Sequence, residues 1–235
     1  MDKTIATLSK AVSAIPDGAT VMIGGFGGSG APIEMIHALI DHGAKNLTVI
    51  NNNAGNGHVG LAALIEQGQV ARLICSFPRS ADPKVFTDLY LAGGIELEIV
   101  PQGTLAERMR AGGAGIPAFY TPTTYGTDLA KGKPVEEFDG KMYVQERWLK
   151  ADFALIKAEL GDRLGNLSYR MAARNFNPLM AMAASTTIAQ VSRVVAPGEI
   201  DPEGVVTPGI FVDGLVEVKT PAQEETLNRQ EAVYP

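Results

Sequence analysis

Residues 24–32 read GGFGGSGAP, between the apolar run TVMI at 20–23 and the helical pattern PIEMIHALIDHG at 32–43. From Gly25 to Gly30 the stretch fits the spacing G-x-G-x-x-G. A glycine turn between a strand and a helix leaves backbone N–H groups free at the positive end of a helix dipole, which suits a bound anion. The stretch therefore predicts a strand, a tight turn and a helix of an α/β fold, with a candidate ligand site at the turn.

The helix after the turn carries clear start and stop signals. Ile33, Ile36 and Ile40 recur at helical spacing, and Pro32 suits the first helical turn. Gly43 stands where a left-handed residue ends a helix. These signals predict a helix that begins near Pro32 and ends at Gly43.

Outward from this unit, short β-branched runs alternate with helical patterns, which is typical of βαβ units and a parallel sheet. The predicted strands are 20–24, 47–51, 71–76, 95–100, 153–157 and 189–195. Further predicted helices lie near 2–14, 59–67, 82–92, 104–111 and 178–188. We expect an α/β fold, an open and mostly parallel sheet with flanking helices, as one domain over residues 1–218.

Two segments depart from this alternation. Residues 112–147 are dense in glycine, proline and threonine in their first half and predict a long loop, which in a compact domain is usually functional. Residues 219–235 show no periodicity and predict a mobile C-terminal tail.

Composition argues against several classes of protein. The chain has 235 residues, a net charge of −6 and no basic run, so neither nucleic acid nor an anionic membrane is expected as a partner. Its apolar stretches are shorter than a bilayer span and its N-terminus lacks the layout of a signal peptide, so we expect a cytoplasmic protein. Cys75 is the only cysteine and no His/Asp cluster has ligand spacing, so we expect neither an intrachain disulfide nor a metal site.

The glycine motif alone is ambiguous. A dinucleotide site needs an acidic residue about 20 positions on, at the end of the second strand, to bind the ribose hydroxyls. Here the second strand runs into NNNAGNG at 51–57, which contains no Asp or Glu. A turn that only connects a strand to a helix explains a bare match equally well.

Segments along most of the chain add a family resemblance. They are VMIGGFGGSGAP at 21–32, NNAG at 52–55, PQGTLAERMRAGGAGIPAFYTPT at 101–123, ADFALIKA at 151–158, GDRLGNLSYR at 161–170 and ARNFNPLMAMAA at 173–184. In this order they resemble the α subunit of family I coenzyme A transferases. The resemblance covers roughly residues 15–218.

The resemblance implies a reaction that moves coenzyme A between two carboxylic acids through a thioester on an enzyme glutamate. In the family that glutamate belongs to the β half, within a Glu-Asn-Gly-type segment, and no Glu of this chain is followed by Asn-Gly. The resemblance therefore implies that the partner is a β subunit, in a heterodimer or heterotetramer, and that this chain holds no catalytic nucleophile. It implies a coenzyme A thioester as substrate and no permanently bound cofactor.

Candidate binding residues follow from the required chemistry, from positions after predicted strands and from the resemblance. Acyl transfer places negative charge on an oxygen, which preorganised donors must hold, and open α/β sheets bind ligands beyond the carboxyl ends of their strands. The resemblance implies coenzyme A or acyl contacts from Gly25, Phe26, Gly27, Gly28, Ser29 and Gly30, and a substrate contact from Gln102. The positions after predicted strands predict substrate contacts from Asn52, Asn53 and Arg79. The competing interpretation is that the amide side chains only make turns and that Arg79 caps or solvates the next helix.

The resemblance also suggests substrates. NNAGNG at 52–57 and CSFPR at 75–79 look most like the members that act on 3-oxoadipate in aromatic-compound degradation, with succinyl-CoA as donor. Acetoacetate-specific relatives are the nearby alternative. Two other classes stay open, a nicotinamide-dependent oxidoreductase, which would also explain GFGGSG, and a non-catalytic module that binds a sugar phosphate or coenzyme A.

Overall fold

The strand before the glycine turn lies in the middle of the main sheet. The computed structural model describes residues 2–234. Its strands are β1 (Thr20–Ile23), β2 (Leu47–Ile50), β3 (Val70–Cys75), β4 (Glu96–Ile99), β5 (Ala118–Thr121), β6 (Val135–Phe138), β7 (Lys141–Arg147), β8 (Ala151–Asp162), β9 (Leu167–Ser168), β10 (Ala184–Val195) and β11 (Gly214–Glu217). The main sheet has the order β11-β10-β8-β1-β2-β3-β4, all parallel, with β9 antiparallel to β8.

Helices cover both faces of this sheet. They are α1 (Leu8–Val12), α2 (Ile33–His42), α3 (Gly60–Glu66), α4 (Lys84–Leu91), α5 (Gln102–Ala114), α6 (Asn177–Ala183) and α7 (Glu224–Arg229). Because side chains of a strand alternate between faces, Val21 and Ile23 pack with α1–α4, whereas Met22 packs with α5 and α6. The predicted open, mostly parallel sheet with flanking helices is confirmed.

The helix predicted after the glycine turn is also confirmed. α2 ends at Gly43, which has φ +81° and donates its backbone N–H to Leu39 O and Ile40 O. Only a glycine adopts this left-handed conformation without strain, so the stop signal has a direct structural cause.

The helix predicted near 178–188 is wrong beyond Ala183. There α6 ends and β10 begins, and Thr186, Thr187 and Ile188 pair with β8. These β-branched residues fit a strand better than a helix. The alanine-rich sequence before them carries no signal for the boundary.

The helix predicted near 2–14 is shorter than expected. Thr4 forms a parallel bridge with Leu215, and Ile5 N donates to Leu215 O. The first residues therefore pair with the edge strand β11, and α1 begins only after Thr7, whose side chain accepts from Lys10 N.

The long loop predicted over 112–147 is a second, small sheet. α5 continues to Ala114, and β5, β7 and β6 then form an antiparallel sheet in that order. β6 and β7 are joined by Asp139 and Gly140, with φ +50° and +74°. Two such residues form the two-residue turn that a hairpin favours.

The sequence predicts no regular structure after residue 218, yet α7 forms at Glu224–Arg229. Tyr234 lies against α2, where its ring stacks on His37 at a centroid distance of 4.0 Å. The segment therefore crosses the edge of the sheet at which the glycine turn lies.

Candidate functional site

The glycine turn is closed by its own backbone. Phe26 N donates to Ser29 O at 3.0 Å, and Ser29 N donates to Phe26 O at 3.2 Å. Gly25, Gly27 and Gly30 have φ of +133°, +57° and +73°, which other residues adopt only with strain. The sequence therefore folds here as a tight turn, with the Phe26 ring half-exposed at its tip.

A second segment packs directly against this turn. Asn175 Nδ2 donates to Ser29 O at 2.9 Å, and Asn177 Nδ2 donates to Gly30 O at 3.2 Å. Asn177 Oδ1 accepts from Lys157 N at 3.1 Å, so one buried amide joins the turn to β8. Sequence reasoning did not assign these asparagines to the site, although they lie in the segment ARNFNP that carries the resemblance.

Asn51 and Asn53 shape the loop after β2. Asn51 Nδ2 donates to Ile23 O at 2.6 Å, and Asn51 Oδ1 accepts from Asn53 N at 2.8 Å. Asn53 Oδ1 accepts from Gly55 N at 2.7 Å. The predicted site residue Asn53 thus has its amide oxygen engaged in a local turn, as the competing interpretation expects.

Asn52 and Gln102 are brought together. Asn52 Oδ1 accepts from Gln102 Nε2 at 3.0 Å and from Ser76 Oγ at 2.6 Å. This orients the buried Asn52 side chain, and no acceptor for its Nδ2 is found within residues 2–234. Gln102 is the first residue of α5, where the helix dipole favours negative charge. Ser76 was missed, although it follows β3 as Asn52 follows β2.

Arg79 lies apart from this amide pair. It is exposed and lines a groove of about 590 Å³ between α4 and β4, with Tyr90, Leu91 and Ile99. The groove is largely apolar, and the Arg79 guanidinium is a cation at its margin. The structure brings Arg79 into neither the glycine turn nor the Asn52 hydrogen-bond cluster.

A larger cavity of about 720 Å³ lies between the glycine turn and the C-terminal segment. Gly28, Ser29 and Asn56 form one side, and Gln223 and Glu224 form the other. Burial raises the pKa of the Glu224 carboxyl, while the hydrogen bond from Asn56 opposes this rise. Sequence reasoning missed Glu224, because its segment has no periodicity and is far from the turn along the chain.

Two ionisable groups, Glu34 and Lys157, lie near each other on elements next to the turn. Glu34, in the first turn of α2, accepts from Gln190 Nε2 at 2.6 Å. Burial lowers the pKa of the Lys157 ammonium, and the nearby Glu34 carboxylate opposes this shift. Glu34 Oε1 also accepts from Ala222 N, so this carboxylate joins α2 to β10 and to the segment after β11.

The described residues contain neither a candidate membrane-spanning helix nor a candidate metal site. No helix there is both long and apolar enough to span a bilayer. No set of three or more His, Cys, Asp or Glu side chains within residues 2–234 is placed to hold a metal ion.

Comparison with known proteins shows the family to which the chain belongs. A sequence model described as coenzyme A transferase matches residues 5–218. A protein from Acinetobacter baylyi, named as a subunit of 3-oxoadipate CoA-transferase, is 63% identical over 223 residues, which cover 94% of this chain and 98% of that protein. A protein from Helicobacter pylori, named as a subunit of succinyl-CoA:3-ketoacid coenzyme A transferase, is 48% identical over 215 residues, 92% of each chain.

A solved structure shares the fold. An acyl-CoA transferase from Escherichia coli O157:H7, in a thioester complex with CoA, superposes with a TM-score of 0.81 at 23% identity. The match covers 94% of this chain, which spans about half (48%) of the length of that chain. The family match also argues against a nicotinamide-dependent oxidoreductase, as does the run of asparagines after β2. The chain belongs to the coenzyme A transferase family.

Proposed function

We propose that this chain is the α subunit of a CoA-transferase that moves coenzyme A from succinyl-CoA to 3-oxoadipate. The nucleophilic glutamate is supplied by a separate β subunit. The observation that carries the proposal is the 63% identity, over nearly the whole of both chains, to a protein named as a subunit of 3-oxoadipate CoA-transferase. The word subunit in that name supports a partner chain.

The site geometry supports the role of a binding subunit. A carboxylate of the β subunit is the group that attacks the thioester carbonyl, and the negative charge that develops on the carbonyl oxygen needs donors. The free N–H bonds of Asn52 Nδ2 and Gln102 Nε2 supply donors at the carboxyl edge of the sheet. Neutral amides suit this task because they cannot protonate the attacking carboxylate.

Bond changes follow in two half-reactions. The thiolate of coenzyme A leaves as the acyl group joins the glutamate in an anhydride, and the thiolate then attacks the glutamyl carbonyl and releases succinate. In the second half-reaction the carboxylate of the 3-oxo acid attacks the glutamyl thioester, which forms a second anhydride and releases the thiolate. The thiolate then attacks the 3-oxoacyl carbonyl, so that the 3-oxoacyl-CoA leaves and the glutamate is free again. The glycine turn supports binding of the thioester, since the N–H groups of Gly27 and Gly28 have no backbone acceptor within residues 2–234.

Acetoacetate is the second candidate acceptor, because the 48% identical relative is named for 3-ketoacids. The test uses this chain alone and mixed with the β subunit, with succinyl-CoA and each acceptor. We expect no transfer by this chain alone, and transfer by the mixture with a higher kcat/KM on 3-oxoadipate. Preference for acetoacetate would support the second candidate, and no transfer by the assembled mixture would contradict both.

A further inference from the structure

Residues 219–234, here named the C-terminal strap, form one wall of the cavity at the glycine turn. This segment lies beyond the part of the chain that the family model matches, which ends at residue 218. One buried carboxylate of the strap, Glu224, contacts the glycine turn and the Asn56 loop directly.

Glu224 connects three loops at the carboxyl edge of the sheet. Its side chain is 5% exposed, and its Oε2 accepts from Asn56 Nδ2 at 3.0 Å. Asn56 Oδ1 accepts from Ala81 N at 3.0 Å and from Asp82 N at 3.3 Å. A Cβ placed on Gly28 would lie only 2.8 Å from Glu224 Cβ, so the glycine turn packs directly on this residue.

Both ends of the strap are fixed to α2, so Glu224 is held in place. Ala222 N donates to Glu34 Oε1, just before α7. At the other end, Tyr234 Oη donates to Asp41 Oδ1 at 2.6 Å. A glycine turn has much conformational freedom of its own, and packing against a fixed side chain removes part of that freedom.

We propose that Glu224 is a positioning residue of the transferase site, which holds the glycine turn and the Asn56 loop in the geometry that binds the coenzyme A thioester. The carboxylate does not touch the reacting atoms. It sets the distance between Gly28 and Asn56, which form the side of the cavity opposite Glu224. This inference rests on the proposed function, since it assigns the thioester to that wall.

The test compares Glu224→Ala with Glu203→Ala, a change at an exposed glutamate that does not line the cavity, each assembled with the β subunit. We expect Glu224→Ala to raise the KM for the thioester about tenfold, the effect of losing one hydrogen bond to a charged group. The KM for the 3-oxo acid should change little. Glu224→Gln should recover most of the thioester affinity, because its amide oxygen still accepts from Asn56.

Equal kinetics of Glu224→Ala and Glu203→Ala would overturn the inference, and so would equal losses toward both substrates. Melting temperature and assembly with the β subunit serve as checks on folding. Should Glu224→Ala fail to fold, Glu224→Asp, which withdraws the carboxylate by one methylene, carries the same expectation. A wild-type complex without transfer would contradict the proposed function instead.

Discussion

At the scale of residues, three successive asparagines after β2 have different tasks. Asn51 and Asn53 use their side-chain oxygens to accept backbone N–H groups of the loop. Asn52 alone is paired with Gln102 and Ser76, which come from other loops. The side-chain bonds of Asn51 and Asn53 hold the loop in place. The Asn52 amide is therefore preorganised, and its Nδ2 is not used by the turn.

Removal of either amide should therefore impair catalysis. Asn52→Ala and Gln102→Ala should each remove about 2 to 4 kcal/mol of transition-state stabilisation, which lowers kcat roughly a hundredfold or more. Steady-state kinetics of the assembled enzyme measures this, with thermal denaturation as the check on folding. Folded variants with wild-type kinetics would place the oxyanion donors elsewhere.

Arg79 should act on specificity if it binds substrate. A guanidinium can hold the second carboxylate of 3-oxoadipate, which acetoacetate lacks. Because Arg79 is exposed, Arg79→Ala should then reduce kcat/KM on 3-oxoadipate by the equivalent of about 1 kcal/mol or less, and change kcat/KM on acetoacetate little, at fixed succinyl-CoA. Equal losses on both acids would assign Arg79 to the donor or to structure, and no loss would leave it a surface residue.

Glu224 should also affect stability through its protonation. Burial raises the pKa of its carboxyl above the ordinary value of 4.5. The native state then binds the proton more tightly than the unfolded state, so this group's contribution to stability falls as the pH rises from about 4.5 through the raised pKa. Glu224→Gln removes this dependence.

Urea unfolding of both proteins between pH 4 and 8 measures the effect. Relative to wild type, Glu224→Gln should gain stability as the pH rises. A difference in unfolding free energy that stays constant with pH would show that the carboxyl titrates alike in the folded and unfolded states.

At the scale of elements, the glycine turn is defined as much by its neighbours as by its own conformation. Gly24 shows this, because a Cβ there would overlap Asn177 Oδ1. Asn177 in turn binds Lys157 N and Gly30 O. Gly27 differs, since its φ is +57° but nothing lies within 4 Å of an added Cβ.

Alanine at these two glycines should therefore separate packing from backbone strain. Gly27→Ala should cost about 1 kcal/mol of unfolding free energy through strain alone. Gly24→Ala should cost more, about 3 kcal/mol, because Asn177 must move and give up its hydrogen bonds. Chemical denaturation of the two variants measures both costs, and the reverse order would mean that Asn177 relaxes freely.

The sequence predicts some elements better than others for physical reasons. β1 is a short apolar run before the glycine turn, and α2 carries helical periodicity and a glycine stop, so the sequence predicts both positions to within about a residue. The hairpin at Asp139 and Gly140 also has a local signal, the dipeptide DG between two short runs of strand-like sequence. The glycine, proline and threonine residues earlier in the segment favour a loop over the whole of it, so this signal is easily overlooked. The start of β10 depends on pairing with β8, which no local pattern reveals.

The candidate site follows the same division. The meeting of Asn52 and Gln102 was predictable, because both follow parallel strands whose carboxyl ends share one edge of the sheet. The contact of Glu224 with Asn56 joins residues 168 positions apart, and the strap has no pattern that indicates a partner. The predicted roles of the turn residues, the two amides and Arg79 stay predictions until the variants are measured.

At the scale of the whole molecule, the sheet gathers the loops that follow β1, β2, β3 and β4 at one edge. Those loops supply amides and free N–H groups, and the strap closes the edge on one side. The solved acyl-CoA transferase that shares this fold has a chain about twice as long.

In the proposed enzyme this chain binds the thioester while its partner forms the covalent bond. The direct test is to treat the assembled complex with borohydride in the presence of succinyl-CoA, and to map the reduced glutamate by mass spectrometry of both chains. We predict reduction of one glutamate on the β subunit, with none on this chain, and no reduction when succinyl-CoA is omitted. A reduced glutamate on this chain would contradict the proposed division of roles between the two subunits.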